Sequence, residues 1–174
     1  MRTCRALWCQ GEFALDQKDF GRAVNLFAQS IRVSHFDGDP FTGMIIREPG
    51  LCYAAIAAMP STTNARLVRA SVLLQTMNPK AAEAELGIAA ESAPDDHSVF
   101  HLRASIRGNL NDWKGALEDV EHCLKLDPSE PIWYFWRGVI RQRLLEPDNK
   151  KLRMRELKRA IACFDTFLKI CLLY

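Results

Sequence analysis

The chain is predicted to be all-α, a helical solenoid of about four antiparallel helix hairpins, and three features predict it. In Asn111–Pro131, NDWKGALEDVEHCLKLDPSEP, residues Trp113, Ala116, Leu117, Val120, Cys123, Leu124 and Leu126 recur at spacings of three and four. That pattern is one apolar face of an amphipathic helix. Small and punctuating residues also recur at a step of thirty-four: Ala82 and Ala116, Ala89 and Cys123, Pro94 and Pro128, and Ala70, Ala104 and Gly138. Finally, pairs of small residues stand twelve apart, at Gly11 and Ala23, Ala70 and Ala82, and Ala104 and Ala116. A larger apolar residue follows four positions after the second small one, at Phe27, Leu86, Val120 and Phe164.

The physics of close packing accounts for the pattern. Two antiparallel helices approach to about 8 Å only where the facing side chains are small. The bulky residues then fill the space between one hairpin and the next, and stability accumulates along the stack. With its thirty-four-residue period and two helices per period, the chain resembles the tetratricopeptide repeat family over most of its length. The resemblance implies a right-handed solenoid whose first helices line a concave groove for an extended peptide or a helix.

In order, a first repeat spans residues 4–37, with Leu7, Trp8, Gly11, Phe13 and Ala14 on its first helix and Phe20, Ala23, Val24, Phe27 and Ile31 on its second. Its turn lies near Lys18-Asp19. Residues 38–62 break the period; Gly38, Pro40, Gly43, Pro49, Gly50 and Pro60 punctuate them, and Leu51–Met59 can form a short helix. This insert reads as a surface loop with an extra packed turn, or as a lid or a peptide-like segment lying in the chain's own groove. The second repeat spans 63–96: Asn64 is expected to cap its first helix, and Asn78-Pro79 opens its second with proline in the first turn. The third spans 97–130. The fourth spans 131–174, opening with Pro131 and the cluster Trp133, Tyr134, Phe135 and Trp136. There Gly138 keeps the register but the second small residue, Ala160, comes ten residues late. An insertion near 147–156 therefore lengthens the last helix, which Asp148 or Asn149 can cap and which should run to about Ile170. The whole is read as a single domain, 1–174.

Composition bounds the function. At 48% hydrophobic the chain has enough apolar surface for a continuous core, and a formal net charge of +2 demands no nucleic acid. No apolar run reaches the length of about 18 residues needed to span a membrane, and no secretory signal is expected. Six scattered cysteines favour reduced thiols and a cytoplasmic setting, with a nuclear one as the alternative; a ciliary setting is implied by the resemblance alone. No HExxH, paired CxxC, phosphate loop or nucleophile elbow is present, so no enzyme, cofactor or metal is expected. His97 and His101 stand one helical turn apart, but a zinc site needs three or four ligands. Cys123 stands where Ala89 stands one repeat earlier and reads as a small buried residue. Glu118, Asp119 and Glu121 read as the solvated face of their helix.

Binding is the remaining class. By the family's register the groove-facing positions are Arg5, Trp8, Glu12 and Leu15; Asn64, Leu67, Ser71 and Leu74; Ser98, His101, Ser105 and Asn109; and Ile132, Phe135, Val139 and Arg143. The lysine, asparagine and arginine with which this family clamps chaperone tails are missing: Leu67, Ser71, Leu102, Ile132 and Trp136 stand there. Trp8, Leu67 and Phe135 are the expected anchors, each also able to pack between hairpins. A basic stretch, Lys150, Lys151, Arg153, Arg155, Lys158 and Arg159, reads as a solvated face, with an acidic protein, or nucleic acid or an anionic membrane, as alternatives. The end, FLKICLLY, is apolar: it belongs to a longer array, or self-associates or docks a partner, or folds back locally. The expected function is a non-catalytic adaptor or scaffold for other proteins. The alternatives are a co-chaperone, or the regulatory part of a larger enzyme or complex.

Overall fold

The computed structural model describes residues 4–34, 62–145 and 150–172, and among them the chain is all-helical. The expected helix at Leu51–Met59, the rest of the 38–62 insert up to residue 61, and the candidate caps Asp148 and Asn149 lie outside the described residues. Eight helices are described: α1 (Cys4–Asp16), α2 (Phe20–Ser34), α3 (Thr63–Gln75), α4 (Pro79–Ser92), α5 (His97–Asn109), α6 (Trp113–Leu126), α7 (Pro131–Arg143) and α8 (Lys150–Cys171). At 22 residues α8 is the long last helix that the displaced Ala160 required.

The chain divides into two compact units, residues 1–99 and 100–174. The boundary falls within α5. Contacts in a repeat array run mainly between neighbours, so such a division needs no linker and leaves no mark in the sequence.

In the first unit α1 packs on α2, α3 on α4, and α2 on α3. Leu7, Val24, Phe27, Ile31, Leu67, Val68 and Leu86 are buried there. Gly11 is required by its surroundings: a Cβ would stand 2.5 Å from the Phe27 ring, which also lies 4.6 Å from that of Trp8. Arg32 on α2 donates to Asp96 at 2.6 Å, and Asn64 on α3 donates to Asn25 on α2 at 2.9 Å. The cap of α3 is Thr62, whose hydroxyl accepts from the Ala65 amide. Asn64 therefore does not cap; Thr62 starts the helix two residues earlier and Asn64 lies inside it. Asn78 caps α4 with Pro79 in the first turn, as expected.

In the second unit α7 packs on α6 and α8. Asp112 caps α6, accepting from the Gly115 amide at 3.0 Å, and a Cβ at Gly115 would collide with that carboxylate. Gly138 on α7 repeats the Gly11 arrangement, since a Cβ there would stand 2.7 Å from the Phe164 ring. Ala160 is buried and Cys123 is fully enclosed. The register drawn through Gly138, Ala160 and Phe164 across a ten-residue insertion is thus the packing register.

Three hairpin turns share one backbone device. Lys18, Met77 and Asn111 each adopt a left-handed conformation, with φ of 57°, 59° and 62°. They stand at equivalent register positions, and the reversal they make is what turns one helix back along the other.

Candidate functional site

Two hairpins are closed by an ionic pair that recurs one period apart. Arg69 and Glu85, sixteen residues apart, meet at 2.8 Å, and Arg66 reaches the same carboxylate at 2.9 Å. One period later Arg103 and Asp119 meet at 2.6 Å through a two-nitrogen contact, with Arg107 adding a bond of 3.0 Å. Asp119 is 2% exposed. It is therefore not part of a solvated face, as Glu118 is; two guanidiniums carry its charge into the packed interface between α5 and α6. One further period on, allowing for the insertion, Arg137 donates from Nε to the sulfur of buried Cys163 at 3.1 Å. Arg141 bridges two acids, Glu121 on α6 at 3.1 Å and Glu156 on α8 at 3.0 Å, and Arg159 meets Glu156 at 2.6 Å. Burial pushes the Glu156 carboxyl up, but Arg141 and Arg159 outweigh it and hold it below the usual glutamate value.

The expected groove positions fall into two groups. Trp8, Leu15, Leu67, Ser71, Ser98 and His101 are buried, so they pack hairpins and offer no open side chain to a ligand. Trp8 and Leu67 are thereby corrected as anchors: Trp8 lies on Phe27, and Leu67 is 0% exposed. Small and apolar side chains on the first helices are drawn into the neighbouring interface. Glu12, Asn64, Leu74, Ser105, Ile132, Phe135 and Val139 are half-buried, while Arg5, Asn109 and Arg143 are exposed. Asn64 is engaged with Asn25, and the Arg143 guanidinium lies 5.8 Å over the Trp113 ring.

Within the second unit these positions gather around aromatic rings. His101 on α5 lies 5.3 Å from the Trp133 ring and 5.5 Å from that of Trp136. Trp136 meets Phe135 edge-on at 5.8 Å, and Phe135 reaches Phe164 and Phe167 on α8 at 6.0 and 5.6 Å. Trp133 is fully buried, whereas Phe135, Trp136 and Val139 on α7 and Ser105 on α5 keep part of their surface open. Partly open aromatics held by buried neighbours are the side chains that anchor protein partners, because little rotamer freedom is left to lose. Trp136 was not among the expected groove-facing positions. Its place in the run Trp133–Trp136 was the available signal.

No group of three or more His, Cys, Asp or Glu side chains is placed to hold a metal among the described residues. His101 lies beside Trp133 and Trp136, and His97 Nδ1 lies 3.4 Å from the Ser98 hydroxyl. Cys9, Cys123, Cys163 and Cys171 are free thiols. In the basic stretch Arg153, Arg155, Lys158 and Arg159 are exposed, and Arg155 and Arg159 lean on Glu156. The Lys150 and Lys151 side chains lie outside the described residues. In the apolar end, Phe164 and Phe167 are half-buried against Phe135, and Leu168 and Leu172 are exposed. Leu173 and Tyr174 lie outside the described residues.

No protein-family model matches the chain, and no curated protein does. Among solved structures it is similar to MamA of AMB-1, at a TM-score of 0.62 and 16% identity over 97% of this chain and 99% of that one. It is similar to MamA, residue 41 to the end, from Desulfovibrio magneticus RS-1, at 0.58 and 16% over 97% of this chain and 76% of that one. It is also similar to human IFIT1, solved as a dimer with m7Gppp-AAAA, at 0.70 and 15% over 95% of this chain and 38% of that one. These likenesses show an all-α fold of the tetratricopeptide-like helical-repeat class.

Proposed function

We propose that the protein is a non-catalytic adaptor that holds a peptide or helix of another protein against first-helix faces of its hairpins. The observation that carries this reading is the partly open ring surface of Phe135 and Trp136, backed by His101 and Trp133, with half-buried Ser105 and Val139 one helical turn on from His101 and Phe135. Rigid aromatic surface suits an apolar side chain of an extended ligand. The clamp residues of the chaperone-tail type are absent, which makes the co-chaperone reading the weaker alternative.

The test is selection from a displayed random-peptide library by the purified chain and by a Ser105→Glu/Val139→Glu variant. Both changes are at half-buried positions, and circular dichroism checks that helicity is kept. Peptides enriched by the wild type and lost by the variant support the reading. No enrichment, or equal enrichment by both, overturns it. An arm with single-stranded RNA is expected to show no binding. Salt-sensitive binding abolished by Arg155→Glu/Arg159→Glu would instead assign the function to the basic face of α8.

A further inference from the structure

We propose that α8 pairs with α8 of a second copy of this chain, antiparallel, across a twofold axis near Ile161. The outer face of α8 carries Met154, Lys158, Ile161, Asp165 and Leu168, spaced alternately by four and three residues, which is the seam of a helix that packs on another helix. Met154, Ile161 and Leu168 are 46%, 51% and 54% exposed, large values for such side chains in sequence along one helix. Their opposite side is already used: Glu156, Ala160 and Cys163 are buried, and α8 packs there on α7.

The seam reads nearly the same in both directions about Ile161. Met154 lies seven residues before it and Leu168 seven after; Lys158 lies three before and Asp165 four after. Antiparallel pairing through a twofold axis sets Ile161 on its symmetry mate, Met154 on the second copy's Leu168, and Lys158 on the second copy's Asp165. Every contact then occurs twice, as an isologous interface requires. Parallel pairing would instead set lysine on lysine and aspartate on aspartate. A purely apolar partner would leave both charges without a counter-ion. Neither Lys158 nor Asp165 has an ion-pair partner among the described residues, whereas Arg155 and Arg159 are both engaged by Glu156. The charge pattern therefore selects a second copy as the occupant.

This does not rest on the adaptor reading, and its test is separate. Sedimentation equilibrium of the full chain is expected to show a monomer–dimer equilibrium. Lys158→Glu, which faces Asp165 of the second copy with a like charge, is expected to weaken it by about tenfold or more. Lys158→Glu combined with Asp165→Lys is expected to restore it to within about threefold, because the exchanged charges still meet. Ser105→Glu/Val139→Glu is expected to leave it unchanged. A wild type that stays monomeric at about 100 μM, a Lys158→Glu variant as dimeric as the wild type, or a double exchange that fails to restore pairing with helicity intact would each overturn the proposal.

Discussion

Gly11 and Gly87 sit in helices of the same unit and have opposite surroundings. A Cβ at Gly11 meets the enclosed Phe27 ring, whereas nothing lies within 4 Å of one at Gly87. Gly87→Ala is therefore expected to stabilise by about 1 kcal/mol, the helix-propensity difference, and Gly11→Ala to destabilise despite the same gain. Urea unfolding midpoints of the two variants check the opposite signs. Met77 offers a third case, an exposed non-glycine residue at φ 59°. Met77→Gly is expected to add about 0.5–1 kcal/mol by relieving the left-handed backbone, read in the same experiment. At this scale the sequence was informative where the constraint was steric. The small residue twelve before another small one marks Gly11 as a point of close approach, but Phe27, expected in the space between hairpins, lies against it within the same hairpin. Met77 gave no warning, because nothing in a methionine marks a turn that asparagine marks at Asn111.

At the scale of helices, the pairs Arg69–Glu85 and Arg103–Asp119 each tie the first helix of a hairpin to its second. Asp119→Ala leaves Arg103 and Arg107 part-buried without their shared acid, and is expected to cost about 3 kcal/mol. Hydrogen exchange should show the loss of protection first in α5 and α6. Glu156 supplies a pH dependence. Its folded-state carboxyl is depressed, so the stability it contributes is present above the unfolded glutamate value and is lost as pH falls through the folded one. Glu156→Gln is expected to flatten that part of the acid unfolding curve, followed by circular dichroism. These ties were hard to read from sequence. Asp119 sits among Glu118 and Glu121, and a run of acids on an amphipathic helix ordinarily faces water. Only the coincidence that Arg69 and Glu85 both recur in kind thirty-four residues on would have separated it from its neighbours.

Across the whole molecule, the all-helical architecture and its repeat register were legible because the pattern was sampled several times, so one degenerate copy did little harm. The candidate site was legible only in outline. Register located the first-helix positions, but not which of them the neighbouring hairpin would cover. Leu67 and Phe135 hold equivalent kinds of position; one is enclosed and the other stays half open. Burial depends on the size of residues on a neighbouring hairpin that a single helix does not encode. The exposed seam on α8 was visible only at its end, through Leu168. Met154 and Ile161 were missed because charged residues surround them in sequence.

In two hairpins the ionic tie joins residues only sixteen apart, and in the first the Gly11–Phe27 contact spans the same sixteen. Such short separations mean that a hairpin has all its own closing contacts once about thirty residues are available. During synthesis, each repeat can thus close as it leaves the ribosome, before the next has been translated, and the nascent chain exposes little more than one unpaired apolar face at a time.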